Sequence, residues 1–266
     1  MISVNACRIT LAFVFAAALA TMAAAQQTAP FEPTVGQEGK DVVWVPTPPE
    51  LVEKMLDVAK VTPQDYVMDL GSGDGRNVIA AAKRGATALG VEYNPDMVEL
   101  SKRNAAAAGV SGKATFVQGD MYEADIAKAN VMALFLLPSN MNRLQPKFFN
   151  LAPGSRIVSN TFGMEGWTAD QTETRPDCSA WCTVLLWIVP AKVEGTWQTP
   201  QGPLTLKQDF QMLSGTLGTT PITEGRLRGE EISFKAGSAT YTGRVKGSAM
   251  EGSVSGGATW TARRAS

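Results

Sequence analysis

Val67-Met68-Asp69-Leu70-Gly71-Ser72-Gly73-Asp74-Gly75-Arg76 is the stretch on which the fold turns. A short apolar run ends at Leu70, a glycine-rich turn follows, and a helical pattern begins after Gly75. Strand, tight turn and helix in this order form the first unit of a nucleotide-binding α/β sheet. The glycines read G-x-G-x-G, not the G-x-G-x-x-G of a dinucleotide loop. Asp69 sits two residues ahead of the first glycine. A carboxylate there is poorly suited to a pyrophosphate and well suited to a cationic ligand. The alternative is a strand–helix turn that binds nothing.

Working outward, Thr47-Pro48-Pro49-Glu50 opens a helix, with Thr47 as expected N-cap and Glu50 as its capping-box partner. Leu51, Met55, Val58 and Ala59 share one face of it. Beyond the glycine turn, Val78, Ile79, Ala81 and Ala82 support a second helix that stops near Gly85. Residues 87–92 form the next strand. It ends in Glu92, about twenty residues past the glycine turn, where an acid in doubly wound folds bonds the ribose hydroxyls. Asn94-Pro95 starts a third helix, and residues 114–118 a third strand with Asp120 and Met121 just after it. Asp120 can accept from an adenine amino group and Met121 can pack on the ring. Residues 130–137 read as a fourth strand, almost wholly apolar, as a parallel strand buried on both faces should be. A helix over 141–150 and a strand over 155–160 follow. Two more strands lie before Pro190, the clearer over 180–189. Three acids at successive strand ends, Asp69, Glu92 and Asp120, thus face the carboxyl edge of one sheet, where ligands of open α/β folds bind.

The chain has 266 residues, 24 Lys+Arg against 25 Asp+Glu, and no histidine. The balance gives no electrostatic case for nucleic acid. The missing histidine excludes a Ser-His triad, a histidine base and histidine metal ligands, and no metal site is expected. Arg8, the apolar run 9–20 and Ala23-x-Ala25 have the layout of a secretory signal peptide over 1–25. Export, to a periplasm, is the expectation, with no stable membrane span if the signal is cleaved; an uncleaved N-terminal anchor is the competitor. Cys7 lies in that segment, which leaves Cys178 and Cys182 to pair as a disulfide or remain free thiols. Residues 26–40 read as a linker.

From 191 to 266 short runs rich in Thr, Val, Ile and aromatics alternate with glycine turns. Strands are expected over 193–198, 204–212, 215–218, 222–228, 231–235, 239–245, 250–254 and 259–263, as a small antiparallel sheet or open barrel. Gly195-Thr196-Trp197 and Gly257-Ala258-Thr259-Trp260 echo each other, which suggests that the first and last strands pair.

Several stretches together carry a family resemblance: Val45-Pro46-Thr47-Pro48-Pro49-Glu50-Leu51-Val52, Asp69 to Arg76, Gly90-Val91-Glu92, Phe116-Val117-Gln118-Gly119-Asp120, Leu136-Leu137-Pro138 with Asn140, and Leu151-Ala152-Pro153-Gly154-Ser155-Arg156-Ile157-Val158-Ser159. Segment 42–189, a little over half the chain, resembles class I S-adenosylmethionine-dependent methyltransferases. The branch is that of the archaeal protein-lysine methyltransferases and the mitochondrial lysine methyltransferases acting on ATP synthase and on the adenine nucleotide translocator. The resemblance implies a doubly wound, Rossmann-like, seven-stranded sheet over 41–190, followed by the small all-β domain over 191–266, and S-adenosylmethionine as cofactor. Asp69, Gly71 and Gly73 would line its methionine part, Glu92 its ribose and Asp120 its adenine, with Ser72 and Met121 in the same cofactor-binding set. The implied acceptor is an amine, foremost a lysine of a protein substrate. A small-molecule acceptor, and a non-catalytic exported module that keeps a nucleoside pocket for partner recognition, are the alternatives. Trp44, Thr47, Leu137, Pro138 and Ser139 flank the same sheet edge and are candidate acceptor-pocket walls. Asn160 stands where family members often carry a histidine, and the tail past Pro190 has no counterpart in single-domain members. Leu137-Pro138-Ser139-Asn140 replaces the Asp/Asn-Pro-Pro-Tyr motif of enzymes that methylate nucleic-acid amino groups.

Overall fold

A computed structural model describes residues 31–176 and 178–265, so the expected signal segment 1–25 lies outside the described residues. Residues from Phe31 onward pack as one compact unit. Its first part is an α/β layer: α1 (Pro49–Val58), β1 (Tyr66–Leu70), α2 (Arg76–Lys83), β2 (Thr87–Glu92), α3 (Pro95–Ala107), β3 (Ala114–Gln118), β4 (Val131–Leu134), α4 (Pro138–Phe149), β5 (Arg156–Asn160), β6 (Gln171–Thr174) and β7 (Thr183–Ile188). The seven strands lie in the order β3-β2-β1-β4-β5-β7-β6. The first five are parallel; β7 runs antiparallel to both its neighbours. Strand order reverses between β1 and β4, and that switch point opens the crevice in which such sheets bind ligands.

The sequence pattern explains the layering. Strands β1 and β4 are buried on both faces, and their side chains alternate between two cores. Val67 points into one core with Leu51 and Met55 of α1 and Val78 of α2. Met68 and Leu70 point into the other with Met141 and Phe148 of α4, Trp167 and Trp187. Asp69 has the parity of Val67, so an acid sits where an apolar residue belongs.

Two local expectations are corrected. The capping box at Thr47 does not form: the helix starts at Pro49, Pro48 is the N-cap, and no side chain caps it. Two consecutive prolines supply fixed φ and lack N–H groups, so the first turn needs less capping. Thr47 is buried instead, and its carbonyl accepts from Arg76 Nη1. The fourth strand stops at Leu134, and α4 begins at Pro138, with this proline as its first residue, not at 141.

After β7 the chain forms β8 (Gly195–Thr199), β9 (Gly202–Asp209), β10 (Met212–Leu217), β11 (Thr220–Arg228), β12 (Glu231–Ala236), β13 (Ala239–Lys246), β14 (Ala249–Val254) and β15 (Thr259–Arg264), a closed antiparallel barrel. The first and last strands do pair, through Arg263 with Gln198 and Arg264 with Trp197. Side chains fill the interior: Phe234 stacks on Tyr241 at 4.8 Å, and Trp260 meets both edge-on.

The barrel is fastened to the sheet. Phe210 stacks on Trp167 at 5.0 Å. The Asp170 side chain, 1% exposed, accepts from the Ile188 backbone N–H at 2.8 Å and from Arg226 of β11 at 2.7 Å. Asp170→Asn should lower stability by about 1.5–3 kcal/mol, the worth of hydrogen bonds to a charged group. Urea unfolding checks it; an unchanged midpoint would show that the Asp170–Arg226 pair contributes nothing to the join.

Candidate functional site

The glycine turn is held open by its backbone. Gly71, Gly73 and Gly75 have φ of +71°, +55° and +84°, a region costly for residues with a Cβ. A Cβ on Gly73 would also approach the Trp44 indole nitrogen to 2.8 Å. The turn is tied to the end of β2: Gly71 N–H donates to Val91 O at 2.8 Å, and Gly73 N–H donates to Glu92 Oε2 at 2.9 Å. Glu92 Oε1 accepts from Asn94 N–H at 2.9 Å. Glu92 therefore positions the turn and keeps lone pairs free toward a ligand.

Two adjoining cavities lie at this edge. The larger, ≈ 710 Å³ with its open mouth, is lined by Gly71, Gly73, Glu92, Asp120 and Met121 together with Tyr93, Met97, Phe135 and residues 37–45. The smaller, ≈ 320 Å³, is lined by Asp69, Ser72, Asn77, Thr47 and Arg76. Gly71, Gly73, Trp44, Val45 and Phe135 belong to both. All seven residues expected to hold a cofactor are thus brought together. Of the five candidate acceptor walls, Trp44 and Thr47 line the cavities. Leu137, Pro138 and Ser139 line neither and are exposed at the start of α4.

The charges suit a cationic ligand with a nucleoside. Asp69 is 3% exposed and accepts one hydrogen bond, from Asn77 Nδ2 at 3.0 Å. Burial holds its carboxyl well above the usual range; the Asn77 bond opposes this, while Glu92 and Asp74 add to it. Among the described residues, Ser72 Oγ and Asn77 Oδ1 are buried without partners, and no cation pairs with Asp69. A buried acid in these surroundings fits an ammonium or sulfonium.

Asp120 is in place but already engaged. Lys40 Nζ donates to its Oδ2 at 2.6 Å, and Tyr122 N–H donates to its Oδ1 at 2.9 Å. Lys40 and then the Tyr122 amide hold this carboxyl below its ordinary value, and Asp120 in turn raises the Lys40 ammonium. Lys40 also lies 5.2 Å from the Tyr93 ring. It belongs to a turn, pinned by Gly36 N–H to Trp44 O and Trp44 N–H to Gln37 O, that passes over the larger cavity. Lysine at this point competes with any donor to Asp120. Lys40→Gln should therefore tighten binding of an adenine nucleoside, by no more than about fivefold since the pair is solvent-exposed. Calorimetry reads this; weaker binding would mean that the ammonium serves the ligand through the ring faces. Sequence reasoning missed Lys40 because residues 26–40 show no periodicity, and missed Phe135 because it lies within an apolar run like any core residue.

Comparisons with known proteins agree with this fold. Residues 69–171 match the ANTKMT methyltransferase domain family, a match that ends ahead of the barrel. The protein-lysine N-methyltransferase of Saccharolobus islandicus is 40% identical over 151 residues, which span 56% of this chain and 94% of that one. The mouse adenine nucleotide translocase lysine N-methyltransferase is 36% identical over 118 residues, 44% of this chain and 51% of that one. The chain thus spans about half of the mouse relative's length. A crystal structure described as an RNA methyltransferase from Salinibacter ruber, in complex with S-adenosyl-L-homocysteine, superimposes with a TM-score of 0.53 at 43% identity. It covers 56% of this chain and 96% of that one.

Proposed function

Because the chain belongs to the protein-lysine methyltransferase branch of the class I S-adenosylmethionine-dependent methyltransferases, we propose that its acceptor is the side-chain amine of a protein lysine. The observation that carries this is the 40% identity with an archaeal protein-lysine methyltransferase over nearly all of that protein's length.

Bound S-adenosylmethionine supplies an electrophilic methyl group on a sulfonium. The rest falls to the chain's own residues. In this reading Asp69 holds the cationic end of the methionine part, beside the open backbone of Gly71 and Gly73. The free lone pairs of Glu92 would accept from the ribose hydroxyls. Asp120 would accept from the adenine amine, and Met121 would pack against the ring. Ser72 Oγ and Asn77 Oδ1 would gain the partners they lack. Alignment of donor and acceptor is the main catalytic contribution, since displacement at a sulfonium needs no protein nucleophile. The acceptor must arrive as a neutral amine. With a free pKa of about 10.4, deprotonation at pH 7 costs roughly 4–5 kcal/mol. A desolvated pocket lowers that cost.

The reading takes the protein to be exported. Its support is the Cys178–Cys182 disulfide, a bond at home in oxidising compartments. Mass spectrometry of the protein from a periplasmic fraction should then give an N-terminus at Gln26. A cytosolic protein starting at Met1 would overturn the assignment.

The Salinibacter likeness favours RNA as a second reading, against which stands the net charge of −1. One experiment decides. The protein is incubated with methyl-labelled S-adenosylmethionine and an extract of exported proteins, RNA and small molecules, and label is recovered from each fraction. Methyl-lysine after acid hydrolysis of the protein fraction is expected; label confined to RNA or to small molecules refutes the lysine acceptor.

A further inference from the structure

Three aromatic rings from distant parts of the chain meet beside the donor cavity. Phe135 directly follows β4, Phe162 lies just past the end of β5, and Trp181 lies just before the start of β7. These strands are neighbours in the sheet. Because β7 is antiparallel to β5, with Asn160 paired to Val184, the beginning of β7 and the end of β5 share one edge. It is the carboxyl edge of the parallel strands, where the cavities open. Phe135 and Phe162 are nearly parallel with centroids 6.0 Å apart. Trp181 is inclined to both, at 5.7 Å and 5.4 Å. Phe135 also lines both cavities, so one ring is shared by the cluster and the donor site.

Burial does not account for this cluster. Trp181 is 39% exposed, and Phe162 is half-buried. Instead the backbone is constrained. Trp181 has φ of +59° and Thr161 of +62°, conformations that residues with a Cβ rarely adopt. The Cys178–Cys182 bond closes the chain around Trp181 at the tip of the β6–β7 hairpin. Thr161 N–H donates to Thr183 O across the same edge. An exposed indole is thus held in a sterically unfavourable backbone conformation by a covalent clamp, next to a cavity suited to a methyl donor.

We propose that Phe135, Phe162 and Trp181 form the platform on which the acceptor lysine side chain lies, and that the Cys178–Cys182 loop fixes Trp181 in it. This rests on the lysine reading of the preceding subsection. The chemistry of the surface matches the chemistry of that side chain. The four-carbon stem packs on ring faces. The same faces attract an ammonium or a methylated ammonium electrostatically, which draws the side chain in before its amine loses the proton. Continuity through Phe135 directs the amine toward the donor.

The test uses the full oxidised chain labelled with 5-fluorotryptophan, its Trp181 signal assigned through Trp181→Phe. N-acetyl-lysine methylamide and N-acetyl-trimethyllysine methylamide are titrated at millimolar concentration with S-adenosylhomocysteine present. Saturable movement of the Trp181 signal is expected, with weaker binding of the neutral analogue that carries carbon in place of the quaternary nitrogen. A Trp181 signal that does not move overturns the proposal. In kinetics with a lysine peptide, Trp181→Ala should raise KM about five- to tenfold while S-adenosylmethionine affinity and the circular dichroism spectrum stay unchanged. Trp181→Phe should recover most of the loss, and Cys178→Ser with Cys182→Ser should move KM in the direction of Trp181→Ala. A KM unmoved in Trp181→Ala overturns the platform. If no lysine peptide is methylated, the lysine acceptor falls, while the fluorine titration still decides whether the platform binds an ammonium.

Discussion

Asp69→Asn is expected to weaken S-adenosylmethionine binding by at least about thirtyfold, since removing one partner of a buried charge pair costs about 2–5 kcal/mol. The substitution keeps shape and volume, so the change is one of charge. Its effect on the fold should run the other way. Burial raises the Asp69 carboxyl in the folded chain above its unfolded value. Such an acid destabilises the native state increasingly as pH rises from its unfolded pKa to its folded one, and by a constant amount above that. The asparagine variant is therefore at least as stable as the parent at neutral pH, and loss of binding cannot be ascribed to unfolding. Linkage gives a second signature. The carboxyl is protonated in the free protein below its raised pKa and must ionise to meet a cation, so donor binding releases a proton. Affinity should rise with pH up to that pKa, then level off, and the slope should vanish in the variant. Calorimetry across pH in two buffers of different ionisation heat measures both. A variant that binds as tightly as the parent would remove Asp69 from the donor site.

The second large effect is on turnover. At saturating S-adenosylmethionine, kcat/KM for a lysine peptide should rise about tenfold per pH unit between roughly pH 6.5 and 9, following the neutral fraction of an amine with pKa of about 10.4. The chain has no histidine, so no base with an ordinary pKa near neutrality stands ready to flatten the profile. Saturating donor removes the Asp69 contribution, which acts on donor affinity. A plateau below pH 8 would show that a group in the site takes the proton, and alignment alone would no longer account for the chemistry.

What the sequence disclosed follows from how local its causes are. The glycine turn and the acids at 69, 92 and 120 are each fixed by a few neighbouring residues and by the end of one strand, and all were legible. The eight barrel strands were legible too, because alternation and turn glycines are local. The capping box failed because Thr47-Pro48-Pro49-Glu50 permits two helix starts, and only the burial of Thr47 against Arg76 selects between them. Lys40 lies 80 residues from its partner Asp120 in a stretch without periodicity. The cluster of Phe135, Phe162 and Trp181 exists only through the order of three strands, and no window of sequence contains that order.

Closure of the barrel bears on when the protein can fold. Its seam joins β8, the first barrel strand, to β15, the last. Every other neighbouring pair is a hairpin of consecutive strands, free to form as the chain lengthens. The seam is different: it waits for residues Thr259–Arg264 to be synthesised, and it brings together strands with six others between them. Non-local pairing of this kind slows folding. Until it forms, β8 and β15 each present an unpaired edge open to other chains. The interval between synthesis of β8 and closure on β15 is the time in which this part of the chain is most vulnerable to association and most accessible to a chaperone.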